Sequence, residues 1–215
     1  MHTNIYVFRH GETDYNVQGR MQGYLDIPLN ANGVTQAHIL ADTLSNAHLG
    51  IIYSSPLSRA IKTAEIVADK NHVKIVIENS LSEWNLGVLC GHIINMIDAP
   101  KNTPINLNSD TVNVSRELLH DDDFVPQNGE SYNMLKKRVC ETMINIVKNT
   151  DAKNIGIATH GGIIRLLIRE FTNYKIRPGL MPNGGYFKMC WDGNTFSVPE
   201  KPYWLIEKET KNICY

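Results

Sequence analysis

The run Ile5-Tyr6-Val7-Phe8 constrains the fold more than any other feature of this chain. It is continuously apolar, where a strand with one wet face would alternate. It therefore reads as a strand covered on both faces, which belongs in a sheet sandwiched between helices. The rest of the chain alternates accordingly. Gly33 opens a helical pattern in which Val34, Ala37, Leu40, Ala41 and Leu44 recur at helix spacing. A short strand follows at Ile51-Ile52-Tyr53. Ser55 and Pro56 then look like a helix start, a hydroxyl N-cap before a first-turn proline, with the helix running to about Lys70. Val73 to Ile77 reads as a strand. A long helix is expected from about Ser131 to Asn149, a strand over Asn154–Thr159 and a helix over Gly161–Phe171. Closing strands are expected near Gly185–Trp191 and Asn194–Val198. Strands alternating with helices predict an α/β domain with a mostly parallel sheet.

The 215 residues suffice for one sizeable core, and 1–215 is expected to be a single domain. The stretch from about 92 to 127 breaks the pattern. It holds three of the nine prolines, many Asn and Asp, and weak periodicity, and is expected to be a cap or insertion over a site. After Pro199, Tyr203 and Trp204 are expected packing residues. A formal charge of −1 leaves no electrostatic footprint for nucleic acid or an anionic membrane surface. No window approaches the ~20 apolar residues of a membrane span, and the N-terminus lacks the pattern of a signal peptide. Cys90, Cys140, Cys190 and Cys214 form no CxxC and no Cys/His cluster. They read as free thiols in a reducing compartment, and a cytoplasmic location is expected.

In open α/β sheets, ligands bind beyond the carboxyl ends of the strands. Arg9-His10 follows the first strand, Arg59 comes shortly after the second, and His160 follows the strand ending at Thr159. Two arginines and two histidines on one edge make a pocket for a dianion, since guanidinium donors match phosphate oxygens bidentately. Gly11 would let the backbone approach the anion, and Gly161-Gly162 would turn helix N-terminal amides toward it. An imidazole flanked by guanidinium groups is held neutral and nucleophilic. His10, between Arg9 and a glycine, is the better candidate nucleophile. Glu83 lies just past the third strand, on the same edge. Partial burial beside Trp84 is expected to favour its protonated form and fit it as general acid. No carboxylate cage for a metal is evident, and no cofactor is implied.

These residues resemble the histidine phosphatase superfamily, also called the phosphoglycerate mutase-like family. The resemblance is carried by Arg9-His10-Gly11-Glu12-Thr13 with Asn16, Gly19-Arg20-Met21-Gln22-Gly23 and Pro28-Leu29. It continues in Ser54-Ser55-Pro56-Leu57-Ser58-Arg59-Ala60 with Thr63-Ala64, in Glu83 with Gly87 and Gly91, in Gly129-Glu130-Ser131, and in Thr159-His160-Gly161-Gly162. It implies a three-layer α/β/α sandwich with a mixed, mostly parallel sheet, and metal-free catalysis. It also implies that His10 is the phosphorylated nucleophile, that Arg9, Arg59 and His160 bind the phosphoryl group, and that Glu83 protonates the leaving group and then activates water. Asn16 would contact phosphoryl oxygens, and Gln22 and Gly23 would line the substrate side.

Plainer readings exist for neighbouring residues. Glu130-Ser131 reads as a helix start, Asp121-Asp122-Asp123 as a solvated loop, and Arg165 as a structural ion-pair partner. His2, His38, His48, His72, His92 and His120 form no local metal-ligand pair. The expected function is a phosphomonoesterase acting through a phosphohistidine on a small phosphate ester, with no nucleic-acid or membrane partner. A cofactor-dependent phosphoglycerate mutase would share the site but needs more cations for a second anion. The cap offers Lys101 and Arg116 against Asp98, Asp110, Glu117 and Asp121 to Asp123. A non-catalytic phospho-ligand binder would be expected to lack the nucleophile, an arginine or the acid. The sequence does not name the substrate or the oligomeric state.

Overall fold

The computed structural model describes residues 2–172 and 181–200. The elements are β1 (Thr3–Arg9), α1 (Asp14–Val17), α2 (Ala31–Thr43), β2 (Ile51–Ser54), α3 (Ser58–Asn71), β3 (Ile75–Ile77), β4 (Ile93–Ile97) and β5 (Thr111–Ser115). They continue with α4 (Arg116–Leu119), α5 (Tyr132–Lys148), β6 (Asn154–Thr159), α6 (Gly161–Phe171), β7 (Tyr186–Trp191) and β8 (Phe196–Ser197). Six strands form one sheet in the order β3-β2-β6-β1-β7-β8. β1, β2, β3 and β6 run parallel, and β7 and β8 are antiparallel to their neighbours, so the sheet is mixed.

The apolar run in β1 has the cause expected of it. Ile5 and Val7 pack with Leu135 and Val139 of α5 and Ile163 and Leu167 of α6. Phe8 faces the opposite layer, with Leu40 of α2 and Ala64 and Val67 of α3. The pleat sends successive side chains to opposite faces, so coverage on both makes every position apolar. Each fully buried Leu, Ile or Phe contributes about 1.5–3 kcal/mol, and these layers hold the strand ends that carry the polar residues.

Several boundaries differ from expectation. α2 begins two residues earlier than Gly33, because Asn30 caps it by accepting the Gly33 N–H at 2.8 Å. α3 begins at Ser58 with Leu57 at its N-cap and no side-chain cap, so Ser55 is not the cap. Its hydroxyl is taken by His160 instead. The 92–127 stretch is less irregular than its composition implied. β4 and β5 pair in parallel as a separate two-stranded sheet, over a small core of Leu89, Val112 and Val114. Tyr203, Trp204 and Cys214 lie outside the described residues; Cys90, Cys140 and Cys190 are free thiols. Among the described residues, no helix is long and apolar enough to cross a membrane.

Gly11 also meets a packing demand that the sequence did not show, because α2 uses the space of its missing side chain. A Cβ on Gly11 would lie 2.2 Å from the Gly33 carbonyl oxygen, and one on Gly33 would lie 2.1 Å from that of Glu12. The first turn of α2 thus presses backbone to backbone on the loop after β1. Alanine inside a helix normally gains up to about 1 kcal/mol over glycine. Here the clash wins: Gly33→Ala is expected to lose about 1–3 kcal/mol in chemical denaturation.

Candidate active site

Strand register brings the predicted residues to one level. Ala158 pairs with both Phe8 and Ser54. The next residues are fixed by backbone bonds, His10 N–H to the Thr159 carbonyl and Ser55 N–H to the Ala158 carbonyl. His10 and His160, which follow β1 and β6, have ring centroids 5.2 Å apart.

His10 is 2% exposed, and its Nδ1 lies 2.6 Å from the Gly11 carbonyl oxygen. A carbonyl only accepts, so Nδ1 carries the proton and the neutral ring keeps its lone pair on Nε2. Burial, then the Arg9 and Arg59 charges, hold the His10 pKa well below 6.5. His160, fully buried, is lowered in the same way by burial, then by Arg59, His10, Arg9 and Arg138. Unfolded, both rings bind a proton below about pH 6.5; folded, they do not. The unfolded state therefore holds more protons in that range, and stability falls as pH falls. The loss should reach up to about 1.4 kcal/mol per pH unit for each ring. Denaturant midpoints measured from pH 7.5 to 5.5 should show this slope, reduced in His160→Gln.

The arginines are held by backbone carbonyls. Arg59, fully buried, donates through Nη1 to Leu25 O at 2.7 Å and through Nη2 to Gly23 O at 2.9 Å. Gly23 sits at φ +48°, and a Cβ there would lie 2.5 Å from Cys90 Sγ. Its requirement for glycine therefore also serves Arg59. Arg9 donates through Nη1 to Met181 O. Its pKa is pushed down to about 10, by burial first and then by Arg165 and Arg59, with Glu83 opposing. It remains charged at neutral pH. Four buried polar atoms have no hydrogen-bond partner among the described residues: Arg9 Nε, Arg59 Nε, His160 Nδ1 and Gln22 Oε1. Each such atom costs about 1–3 kcal/mol, so a ligand that satisfies them is favoured, and three of the four are nitrogens suited to an anion.

Glu83 accepts from Trp84 N–H at 2.8 Å and from Gly162 N–H through both carboxylate oxygens at 3.1 Å. The Gly162 amide therefore serves the carboxylate and not the anion pocket, a correction to the expected role of that one amide. Gly161 lies against Arg9, where a Cβ would be 3.5 Å from the guanidinium carbon. Asn16 Oδ1 accepts from Thr13 N–H, Thr13 Oγ1 and Asn183 Nδ2, at 3.2, 3.1 and 3.0 Å.

Two residues of this assembly carried no sequence signal. Asn183 donates to the His10 and Gly11 carbonyls, each at 3.2 Å, as well as to Asn16. Arg138 of α5 donates to Ser80 O at 2.7 Å, Ser82 O at 3.0 Å and Glu83 O at 3.3 Å, fixing the loop that carries Glu83. Three plainer readings change. Ser131 does cap α5, but Glu130 also pairs with Arg138 and accepts the Asn85 N–H. Asp122 pairs with Arg169 of α6, so the aspartate run fastens the cap instead of being merely solvated. Arg165 forms no ion pair with any described residue, and its charge acts on Arg9. No group of three or more potential metal ligands occurs among the described residues.

Residues 5–200 match the model of the histidine phosphatase superfamily, branch 1. The chain belongs to this superfamily. It is 33% identical over 168 residues to phosphoglycerate mutase-like protein 4 of Arabidopsis thaliana, covering 77% of this chain and 70% of that one. It is 31% identical over 170 residues to the uncharacterized phosphatase PhoE of Bacillus subtilis, covering 79% and 78%. The superfamily fold extends to a mycobacterial glucosyl-3-phosphoglycerate phosphatase solved with VO3, at TM-score 0.71 and 25% identity over 91% of this chain and 95% of that one. Phosphatases and mutase-like proteins thus both stand among its relatives.

Proposed function

We propose that the protein is a metal-independent phosphomonoesterase that acts through a phosphohistidine on a small phosphate ester with an uncharged leaving group. The buried, unpartnered nitrogens of Arg9, Arg59 and His160 support the anion pocket. His10 Nε2 attacks phosphorus as the bond to the leaving oxygen breaks. Arg9, Arg59 and His160 take up the charge on the equatorial oxygens, the larger part of catalysis in phosphoryl transfer. Two guanidinium groups in the pocket repel a divalent cation and fill its place. Glu83 gives its proton to the leaving oxygen. It then removes a proton from water, which attacks the phosphohistidine; the P–N bond breaks, inorganic phosphate leaves, and His10 returns neutral.

The single observation favouring water over a second phosphate-bearing acceptor is the charge state of the cap. Its two permanent cations are already paired, Lys101 with Asp121 at 2.5 Å and Arg116 with Asp98 at 2.9 Å. Beside it, Arg20 pairs with Asp110 at 3.0 Å and Arg169 with Asp122 at 2.5 Å. A mutase must hold a second anion, and these groups cannot do so without breaking a pair. Monoesters of uncharged alcohols should therefore show higher kcat/KM than bisphosphates, with activity unchanged by EDTA. Efficient bisphosphate-dependent interconversion of phosphoglycerates would overturn this reading, and a strict metal requirement would overturn the account of the pocket.

A further inference from the structure

We propose that Ser55 is a positioning residue: its hydroxyl donates to His160 Nε2 and so fixes the neutral His160 ring with its proton on Nδ1, facing the phosphoryl group. The inference rests on the phosphohydrolase reading for its catalytic meaning, but not for the tautomer itself. Ser55 Oγ lies 2.7 Å from His160 Nε2 and accepts the Leu57 N–H at 3.3 Å. Both side chains are fully buried. A serine hydroxyl has one proton to give. Were His160 Nε2 the donor, Ser55 Oγ would accept twice and its own proton would have no acceptor among the described residues. A buried donor left unsatisfied costs about 1–3 kcal/mol. Donation from Ser55 to Nε2 removes that cost and leaves the proton of the neutral ring on Nδ1. Nδ1 is the orphaned, buried nitrogen of His160. A bare Nδ1 would turn a lone pair toward phosphoryl oxygens; a protonated Nδ1 donates to them. The arrangement complements His10, whose proton is held on Nδ1 by Gly11 so that Nε2 is free to attack. The two imidazoles are set by their second nitrogens to opposite tasks, one as electron-pair donor and one as proton donor.

The test is a two-bond ¹H–¹⁵N correlation spectrum of ¹⁵N-histidine-labelled protein, with His160 assigned by its loss in His160→Gln. The expected spectrum of the free wild type shows Nδ1 protonated and Nε2 bare. In Ser55→Ala the proton should move, wholly or in part, to Nε2. Vanadate affinity and kcat/KM should each fall roughly 10- to 100-fold, the loss of one hydrogen bond to a charged group. In a His160→Gln background, Ser55→Ala should change vanadate affinity by no more than about 2-fold, because the two act as one unit. A wild-type His160 protonated on Nε2 overturns the proposal, whether or not Ser55→Ala folds. So does a Ser55→Ala protein that keeps both the Nδ1 proton and full vanadate affinity. A wild type without phosphomonoesterase activity would instead sink the hydrolase reading, while the free-protein spectrum would still decide the tautomer.

Discussion

Replacing His10 with glutamine is expected to lower kcat by about 10⁴-fold or more, the scale on which losing a covalent nucleophile is felt. The fold should survive, because His10 is one small polar group at a strand end and glutamine can still donate to the Gly11 carbonyl. Vanadate binding should persist in weakened form, since Arg9, Arg59 and His160 remain. The expected result is therefore a folded protein that binds the anion and does not turn over. Full phosphomonoesterase activity in this variant would mean that water attacks the substrate directly, with His10 only a ligand.

Glu83→Gln should reveal its role through the leaving group. For alkyl phosphates, whose alkoxide needs a proton, kcat is expected to fall about 10²- to 10⁴-fold. For aryl phosphates with acidic phenols, the first step needs no proton and should be nearly unaffected. The second step still needs a base, so phosphohistidine should accumulate and phenol should appear as a burst of about one enzyme equivalent before slow turnover. An equal loss for both classes without a burst would reduce Glu83 to a structural anchor for Gly162 and Trp84, a role its three backbone bonds already give it.

The features legible in the sequence were those with a local physical signature. Double-sided burial made β1 a continuous apolar run, and His10 and His160 follow strands that end in register. Ser55 reads as a helix cap because N-capping is a local rule, whereas the residue that takes its hydroxyl, His160, lies 105 residues away. Asn183 left no trace, because its partners lie up to 173 residues away and a polar residue between Pro182 and Gly184 reads as turn. Arg138 sits on a long helix and looks like a surface cation, yet it carries the loop of Glu83. β4 and β5 escaped because they pair with each other, outside the main sheet, across a loop rich in Pro and Asn. Propensity within a short window does not reach such long-range partners.

The central claim is a covalent phosphoryl group on His10, and rapid quenching under turnover tests it most directly. Enzyme mixed with a labelled phosphomonoester in EDTA and quenched in base should carry label that is acid-labile and base-stable, mapped to the peptide containing His10. It should form no more slowly than the enzyme turns over, and be absent in His10→Gln. Hydrolysis at the full rate with no phosphoryl group on His10 at any time point, or with the label on another residue, would contradict the account.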